Sequence, residues 1–170
     1  GEDIYASATP SEEVSSLRTS TAEIETFLVD NAASKDVAVG GYDAYEVSFT
    51  LKPQFEGKTK VTLCNACGEK FSLEFDTENM TVLADRSESG KMTRIKSFVL
   101  MPAAPLGLCN SSDGYDVDVF VDKCSVEVFV DGGRIAMTNL VCPSESFDNI
   151  VFESTGESEI SNMFIHKIGK

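Results

Sequence analysis

Apolar and polar residues alternate with a period of two along most of this chain. Tyr45, Val47, Phe49 and Leu51 alternate with Glu46, Ser48 and Thr50. Phe71, Leu73 and Phe75 alternate with Ser72 and Glu74, and Tyr115, Val117, Val119 and Val121 with Asp116, Asp118 and Phe120. Val126, Val128 and Val130 follow, with Glu127 and Phe129 between them. Successive side chains of a strand point to opposite faces, so each run predicts a strand with one face in a core. Further short strands are expected near 23–29, 59–64, 80–84, 94–100, 134–141, 148–153 and 160–168. Phe120 and Phe129 interrupt the polar face. They read either as a cross-strand pair or as part of a partner-facing patch.

Turn chemistry separates these runs. Asp131-Gly132-Gly133 predicts a tight hairpin, because glycine accepts positive φ without steric cost. Asp122-Lys123-Cys124-Ser125 predicts another, with the Asp122 carboxylate accepting backbone N–H groups two residues on. Asn65 to Glu69 and Asn110 to Gly114 read as loops. Helix signals are scarce. Pro10 to Val14 is expected to start a single turn, with Thr9 as cap and Pro10 first. Many short strands with regular turns predict an all-β fold, two antiparallel sheets packed face to face in a jelly-roll-like sandwich. Residues 1–8 read as an unstructured or tag-derived start, and 9–170 as one domain.

Charge narrows the partners. Lys and Arg total 14 against 28 Asp and Glu, a formal net charge of −14. A nucleic-acid binder needs basic residues to displace counterions, and the same requirement holds for an anionic membrane. A neutral partner such as a sugar requires no such complement. No apolar run approaches the ~20 residues of a membrane-spanning helix. The five cysteines include Cys64 and Cys67 in a CxxC. A zinc site needs about four ligands, and no second CxxC or nearby histidine supplies them. We therefore expect no metal and no cofactor. Asp113, Asp116 and Asp118 suggest calcium by composition, but they lack an EF-hand loop. Asn79-Met-Thr81 and Asn110-Ser-Ser112 match the glycosylation sequon.

The order of several segments carries a resemblance. Thr9-Pro10-Ser11-Glu12-Glu13-Val14-Ser15-Ser16-Leu17-Arg18 opens it. Leu73-Glu74-Phe75-Asp76 and Asp85-Arg86-Ser87-Glu88-Ser89-Gly90 follow, then Ala104-Pro105-Leu106. The densest block is Phe120 to Phe129 with Asp131-Gly132-Gly133-Arg134 and Met137-Thr138-Asn139-Leu140. Together these resemble the C-terminal β-sandwich of glycoside hydrolase family 32, the fructan- and sucrose-cleaving enzymes such as levanases, inulinases and invertases. Lys123 and Cys124 depart from the arginine and the serine or threonine usual in that block. The family's catalytic motifs (Trp-x-Asn-Asp-Pro-Asn, Arg-Asp-Pro and Glu-Cys) lie on a β-propeller, and none occurs here.

The resemblance implies a non-catalytic module that supports a catalytic propeller absent from this chain. The parent would hydrolyse β-fructofuranosidic bonds with retention, through two carboxylates about 5 Å apart. The alternative implied function is a carbohydrate-binding module for fructans such as levan. For that role the candidate contacts are Tyr42, as an exposed aromatic, and Asp85 with Arg86. The competing readings are a loop tyrosine packed on its own sheet and a surface ion pair. Asp122, Ser125, Glu127, Asp131 and Gly132 read as turn-stabilising, Glu127 pairing across the hairpin with Arg134. A secreted or periplasmic location follows only from where polymeric sugars are met.

Overall fold

The computed structural model describes residues 6–95, 98, 101–109 and 112–169. Among these residues one four-residue α-helix, α1 (Glu12–Ser15), precedes thirteen strands. These are β1 (Arg18–Ile24), β2 (Phe27–Val29), β3 (Lys35–Ala38), β4 (Tyr45–Pro53), β5 (Lys58–Cys64), β6 (Lys70–Asp76) and β7 (Thr81–Glu88). They continue with β8 (Ala103–Pro105), β9 (Tyr115–Val121), β10 (Ser125–Val130), β11 (Ile135–Leu140), β12 (Asn149–Ser154) and β13 (Ser158–Ile168). One sheet runs β1-β13-β4-β9-β10-β11, with β2 also on β13. The other runs β3-β12-β5-β6-β7-β8. All these pairings are antiparallel, as the alternation predicts.

The core lies between the sheets. Tyr45, Val47, Phe49 and Leu51 of β4 are buried, as are Phe71, Leu73 and Phe75 of β6 and the odd-numbered residues of β9. Phe49 of one sheet meets Phe152 of the other edge-to-face, centroids 5.5 Å apart. Phe75 stacks on Tyr115 across the same gap at 6.3 Å. Such pairs add to the value of burial alone. The buried hydroxyl of Thr59 bonds Ser154 at 3.1 Å and Ser158 at 2.7 Å, which satisfies three polar groups inside the sandwich.

Three expectations from the sequence are corrected. The strand expected over 23–29 is split into β1 and β2. Both lie on β13, whose register shifts between Ser161 and Phe164 around Asn162 at φ 50°. A bulge bends its strand, so one straight neighbour cannot follow β13 past it. The strand expected over 94–100 is a 3-10 turn at Lys91–Arg94 and a bend at Ile95, with Phe98 in a turn; residues 96, 97, 99 and 100 are outside those described. Phe98 is buried there, beneath the Arg86 guanidinium. The cap of α1 is Ser11, not Thr9, and Pro10 precedes the helix. The strands β3 and β8 escape the pattern because each is short and buries little of itself.

Gly90 ties the two sheets at one side. It forms an isolated bridge with Cys142, and Lys91 N–H donates to the Cys142 carbonyl at 3.0 Å. Its φ is 122°, and an added Cβ would lie 2.0 Å from that carbonyl oxygen. A second tie holds the N-terminal segment. Arg18 forks onto Glu46, with Nε 2.7 Å from Oε2 and Nη2 2.6 Å from Oε1. Glu46 is only 1% exposed, so this fork is its counter-charge in a site with little water.

Asp76 anchors the β6–β7 turn. It accepts the N–H of Asn79 at 2.9 Å and its side-chain amide at 2.8 Å, and Lys58 Nζ lies 3.2 Å away. The bonds from Asn79, followed by that from Lys58, hold its carboxyl down at about 2. The sequon residue Asn79 thus already uses its amide on Asp76. The second sequon residue, Asn110, lies outside the described residues.

Three outcomes are expected from denaturation experiments. Gly90→Ala lowers stability by more than about 1 kcal/mol, since backbone must move to admit the methyl. Arg18→Ala costs about 3 kcal/mol, because it strands a buried carboxylate; an unchanged urea midpoint would show that the fork is dispensable. Asp76 stabilises the fold above its unfolded value of about 4, and this is lost as pH falls through the native value near 2. Asp76→Asn is therefore less stable at neutral pH, and melting curves of variant and parent converge towards pH 2.

Candidate functional site

The residues singled out in the sequence do not converge. Tyr42 follows Gly40 and Gly41, both at positive φ, and its ring folds back so that a Cβ on Gly40 would touch it at 3.3 Å. It is half-buried against the core, not exposed, and Lys167 Nζ sits 5.5 Å from the ring centroid. Asp85 accepts the Ser87 N–H at 2.8 Å. Arg86 turns away to Phe98, with Cζ 4.7 Å from the ring centroid, and Nη1 is 3.5 Å from the Leu140 carbonyl. Its Nε is buried with no hydrogen-bond partner among the described residues. Neither residue points its polar end at Tyr42's surroundings, and none of the three lines the clefts described below.

Of the residues read as turn-stabilising, Asp122, Asp131 and Gly132 lie between strands, whereas Ser125 and Glu127 stand in β10. Asp122 donates its N–H to the Ser125 carbonyl at 3.0 Å. Its carboxylate accepts the N–H of Lys123 at 2.7 Å, one residue on, where two had been expected. Asp131, at φ 49°, exchanges bonds with Asp116: its N–H donates to the Asp116 carbonyl and its Oδ1 accepts the Asp116 N–H. Gly132 and Gly133 follow at φ 62° and 80°. Glu127 does not face Arg134. The register sets it opposite Phe120 and Thr138, while Arg134 lies in the turn and donates to the Leu108 carbonyl at 3.1 Å.

All five thiols are free, and burial pushes that of Cys109 up to about 11. Among the described residues no group of three or more His, Cys, Asp or Glu side chains is placed to hold a metal, Asp113, Asp116 and Asp118 included. No helix among them is long and apolar enough to cross a membrane.

A different constellation lies on the outward face of the first sheet. Strand pairing there aligns His166, Glu46, Phe120 and Glu127 in one row across β13, β4, β9 and β10. The adjacent row holds Phe164, Ser48, Asp118 and Phe129. Phe120 and Phe129 are therefore diagonal neighbours, and they pack edge-to-face with centroids 5.9 Å apart. The N-terminal segment crosses above these rows. Ala8 N–H donates to the Gly133 carbonyl at 3.1 Å, α1 passes over the phenylalanines, and Arg18 descends to Glu46. Contact with the sheet thus begins before residue 9.

Between the segment and the sheet is a cleft of about 300 Å³, with Arg18, Glu46, Asp118, Phe120 and Phe129 among its walls. A neighbouring cleft of about 340 Å³ shares Pro10, Ser11, Val14 and both phenylalanines and reaches Glu127. The Asp118 carboxyl is pushed up by burial, then by the Glu46 charge, against the pull of Arg18. Burial lowers His166, with Arg18 adding to it, and its Nδ1 lies 2.8 Å from Thr21 Oγ1. Sequence reading missed this site because Arg18 and Glu46 lie 28 positions apart. The alternation of β4 marks Glu46 as solvent-facing, and only the chain passing overhead buries it.

Comparison with known proteins places the chain. The family described as Glycosyl hydrolases family 32 C terminal matches residues 13–167. A levanase of Bacillus subtilis (strain 168) is 25% identical over 173 residues, covering 99% of this chain but 25% of the levanase. Among solved structures, exo-inulinase from Aspergillus awamori superposes with a TM-score of 0.76 at 23% identity, covering 100% of this chain and 34% of that one. A fructosyltransferase from A. japonicus gives 0.74 at 17% identity, covering 89% of this chain and 26% of that one. The chain thus spans about a quarter to a third of these relatives. With the two-sheet sandwich in place and the match running from α1 to β13, the chain belongs to the C-terminal domain family of the family 32 glycosyl hydrolases.

Proposed function

We propose that this chain is the non-catalytic C-terminal sandwich of an enzyme that hydrolyses β-fructofuranosidic bonds in fructans or sucrose. Its main role is to support the catalytic propeller. One observation carries the reading: the match is to the C-terminal domain family over residues 13–167, while the chain spans only 25% of the levanase. Site chemistry supports it. Retaining hydrolysis requires a carboxylate free to attack the anomeric carbon, beside an acid about 5 Å away. Glu46 and Asp118 are the nearest approach to such a pair in the cleft, but Arg18 occupies both Glu46 oxygens. Exposed Leu17, Leu28, Phe55, Met80, Ile95, Met101 and Leu140 offer apolar contact to a neighbouring domain. They lie on both sheets and their connections, and Phe55 and Met80 share one cleft. A location outside the cytoplasm belongs to the same proposal, since polymeric fructans are met there.

A second reading, a carbohydrate-binding module, is favoured by the cleft that combines phenylalanines with a carboxylate. Modules of this kind raise the local concentration of an enzyme on a polymer.

Calorimetric titration of the chain with levan, inulin and sucrose, with sugar release assayed in the same tubes, separates these readings. No release and no saturable heat is the result expected of a supporting domain. Saturable heat without release supports the binding module. Release of fructose by the purified chain overturns the non-catalytic assignment.

A further inference from the structure

The two clefts beneath the N-terminal segment share Pro10, Ser11, Val14 and both phenylalanines and form one groove, with an apolar floor and acidic walls. We propose that this groove docks an arginine-bearing segment of a partner polypeptide, with one guanidinium on the Asp118 carboxylate and its side chain laid against Phe120 and Phe129. Such docking involves no sugar and is compatible with a supporting role for the domain.

Charge identifies the occupant. Arg18 and Glu46 neutralise one another through their fork. That leaves Glu12, Asp118, Asp122 and Glu127 on the walls, and among the described residues no second Lys or Arg lines either cleft. The whole chain carries a formal charge of −14, so its field draws a basic partner and repels a second copy of itself. The acidic groups stand on separate elements: Glu12 on α1, Asp118 on β9, Asp122 in the β9–β10 turn and Glu127 on β10. Among the described residues no three of them are placed to hold one metal ion. A single ion cannot collect these dispersed carboxylates, whereas an extended polypeptide with basic residues along it passes several.

Asp118 fixes the central contact. Strand register pairs it directly with Phe129, and Phe120 stands two residues along β9 on the same face. It accepts no hydrogen bond from any described residue. Burial and then the Glu46 charge push its carboxyl up against the pull of Arg18, and a further cation offsets both. Arginine suits this place better than lysine, because a guanidinium is planar, weakly hydrated and able to stack on an aromatic ring while it forks onto a carboxylate. The domain already uses both modes, in Arg18 on Glu46 and in Arg86 over Phe98 at 4.7 Å. Clefts of about 300 and 340 Å³ fall at the small end of ligand pockets and admit single side chains. The aromatic pair is set by its edge-to-face contact, and the far wall is held by Ala8 on Gly133 and Arg18 on Glu46. Little ordering is left for binding to impose.

The test is an amide-shift NMR titration of the whole chain with the capped peptide Gly-Arg-Gly-Arg-Gly and with the same peptide carrying lysine or neutral citrulline in place of arginine. Saturable shifts are expected at Gly132 and Gly133, which line the groove, strongest with arginine, weaker with lysine and absent with citrulline. Asp118→Asn should weaken binding about tenfold, the loss expected of a charged hydrogen bond. Phe129→Leu should weaken it about threefold through the lost cation–π contact. Glu153→Gln, an equal change of net charge on the other sheet, should bind as the parent does. Thermal melting checks that each variant is folded, and the citrulline peptide tests the unaltered chain. Equal binding of arginine and citrulline peptides, saturable shifts confined to other residues, unchanged affinity in folded Asp118→Asn, or no saturable shift at all overturns the proposal. Shifts of the same glycines with short levan-type oligosaccharides, and none with the arginine peptide, overturn it in favour of the binding module.

Discussion

The fork between Arg18 and Glu46 governs how the segment leading into β1 is arranged. A carboxylate on a central strand, nearly closed to water, is tolerable only with a counter-charge held in good geometry. Arg18 supplies two short bonds from an edge strand, and its planar guanidinium matches both carboxylate oxygens. The cost of desolvating Glu46 thereby fixes where β1 begins. Together with Ala8 on Gly133, it stretches the intervening segment across the outward face of the sheet. That face has become an interior in miniature, with its own aromatic pair and its own half-buried carboxyl in Asp118.

Much of the architecture was legible from alternation alone. The period-two runs of β4, β6, β9 and β10 specify which side of each strand enters the core, and a one-residue slip would reverse every choice. The turn at Asp131 to Gly133 was legible for a local reason, because consecutive positive φ values suit glycine. What failed was non-local. The break between β1 and β2 originates in β13, more than a hundred residues away, through the bulge at Asn162. Phe98 looked like strand but is buried in a turn beneath Arg86, which apolar content alone cannot distinguish.

The fold draws the candidate contacts chosen from the sequence apart for a related reason. Tyr42 was singled out because a tyrosine after paired glycines looks exposed, yet those glycines let its ring fold back onto the domain. Asp85 and Arg86 are sequence neighbours whose polar groups serve different partners, a backbone N–H in one case and Phe98 with the Leu140 carbonyl in the other. Phe120 and Phe129 did carry a signal, as apolar residues on an otherwise polar face. Their value lies in the register that makes them diagonal neighbours and sets Asp118 beside them.

A supporting role and a binding role draw on different parts of this molecule. Support needs only a rigid body, which the cross-sheet aromatic pairs and the Gly90 tie provide. Binding needs an unfulfilled group held in place, and the structure offers one in Asp118, confined between phenylalanines below and the segment above. The same tension explains why the carboxyl is pushed up: burial and the Glu46 charge disfavour its ionised form, and Arg18 is already committed to Glu46. The arrangement that stabilises one buried carboxylate thus leaves its neighbour in want of a partner, and the fold keeps that neighbour accessible from the groove.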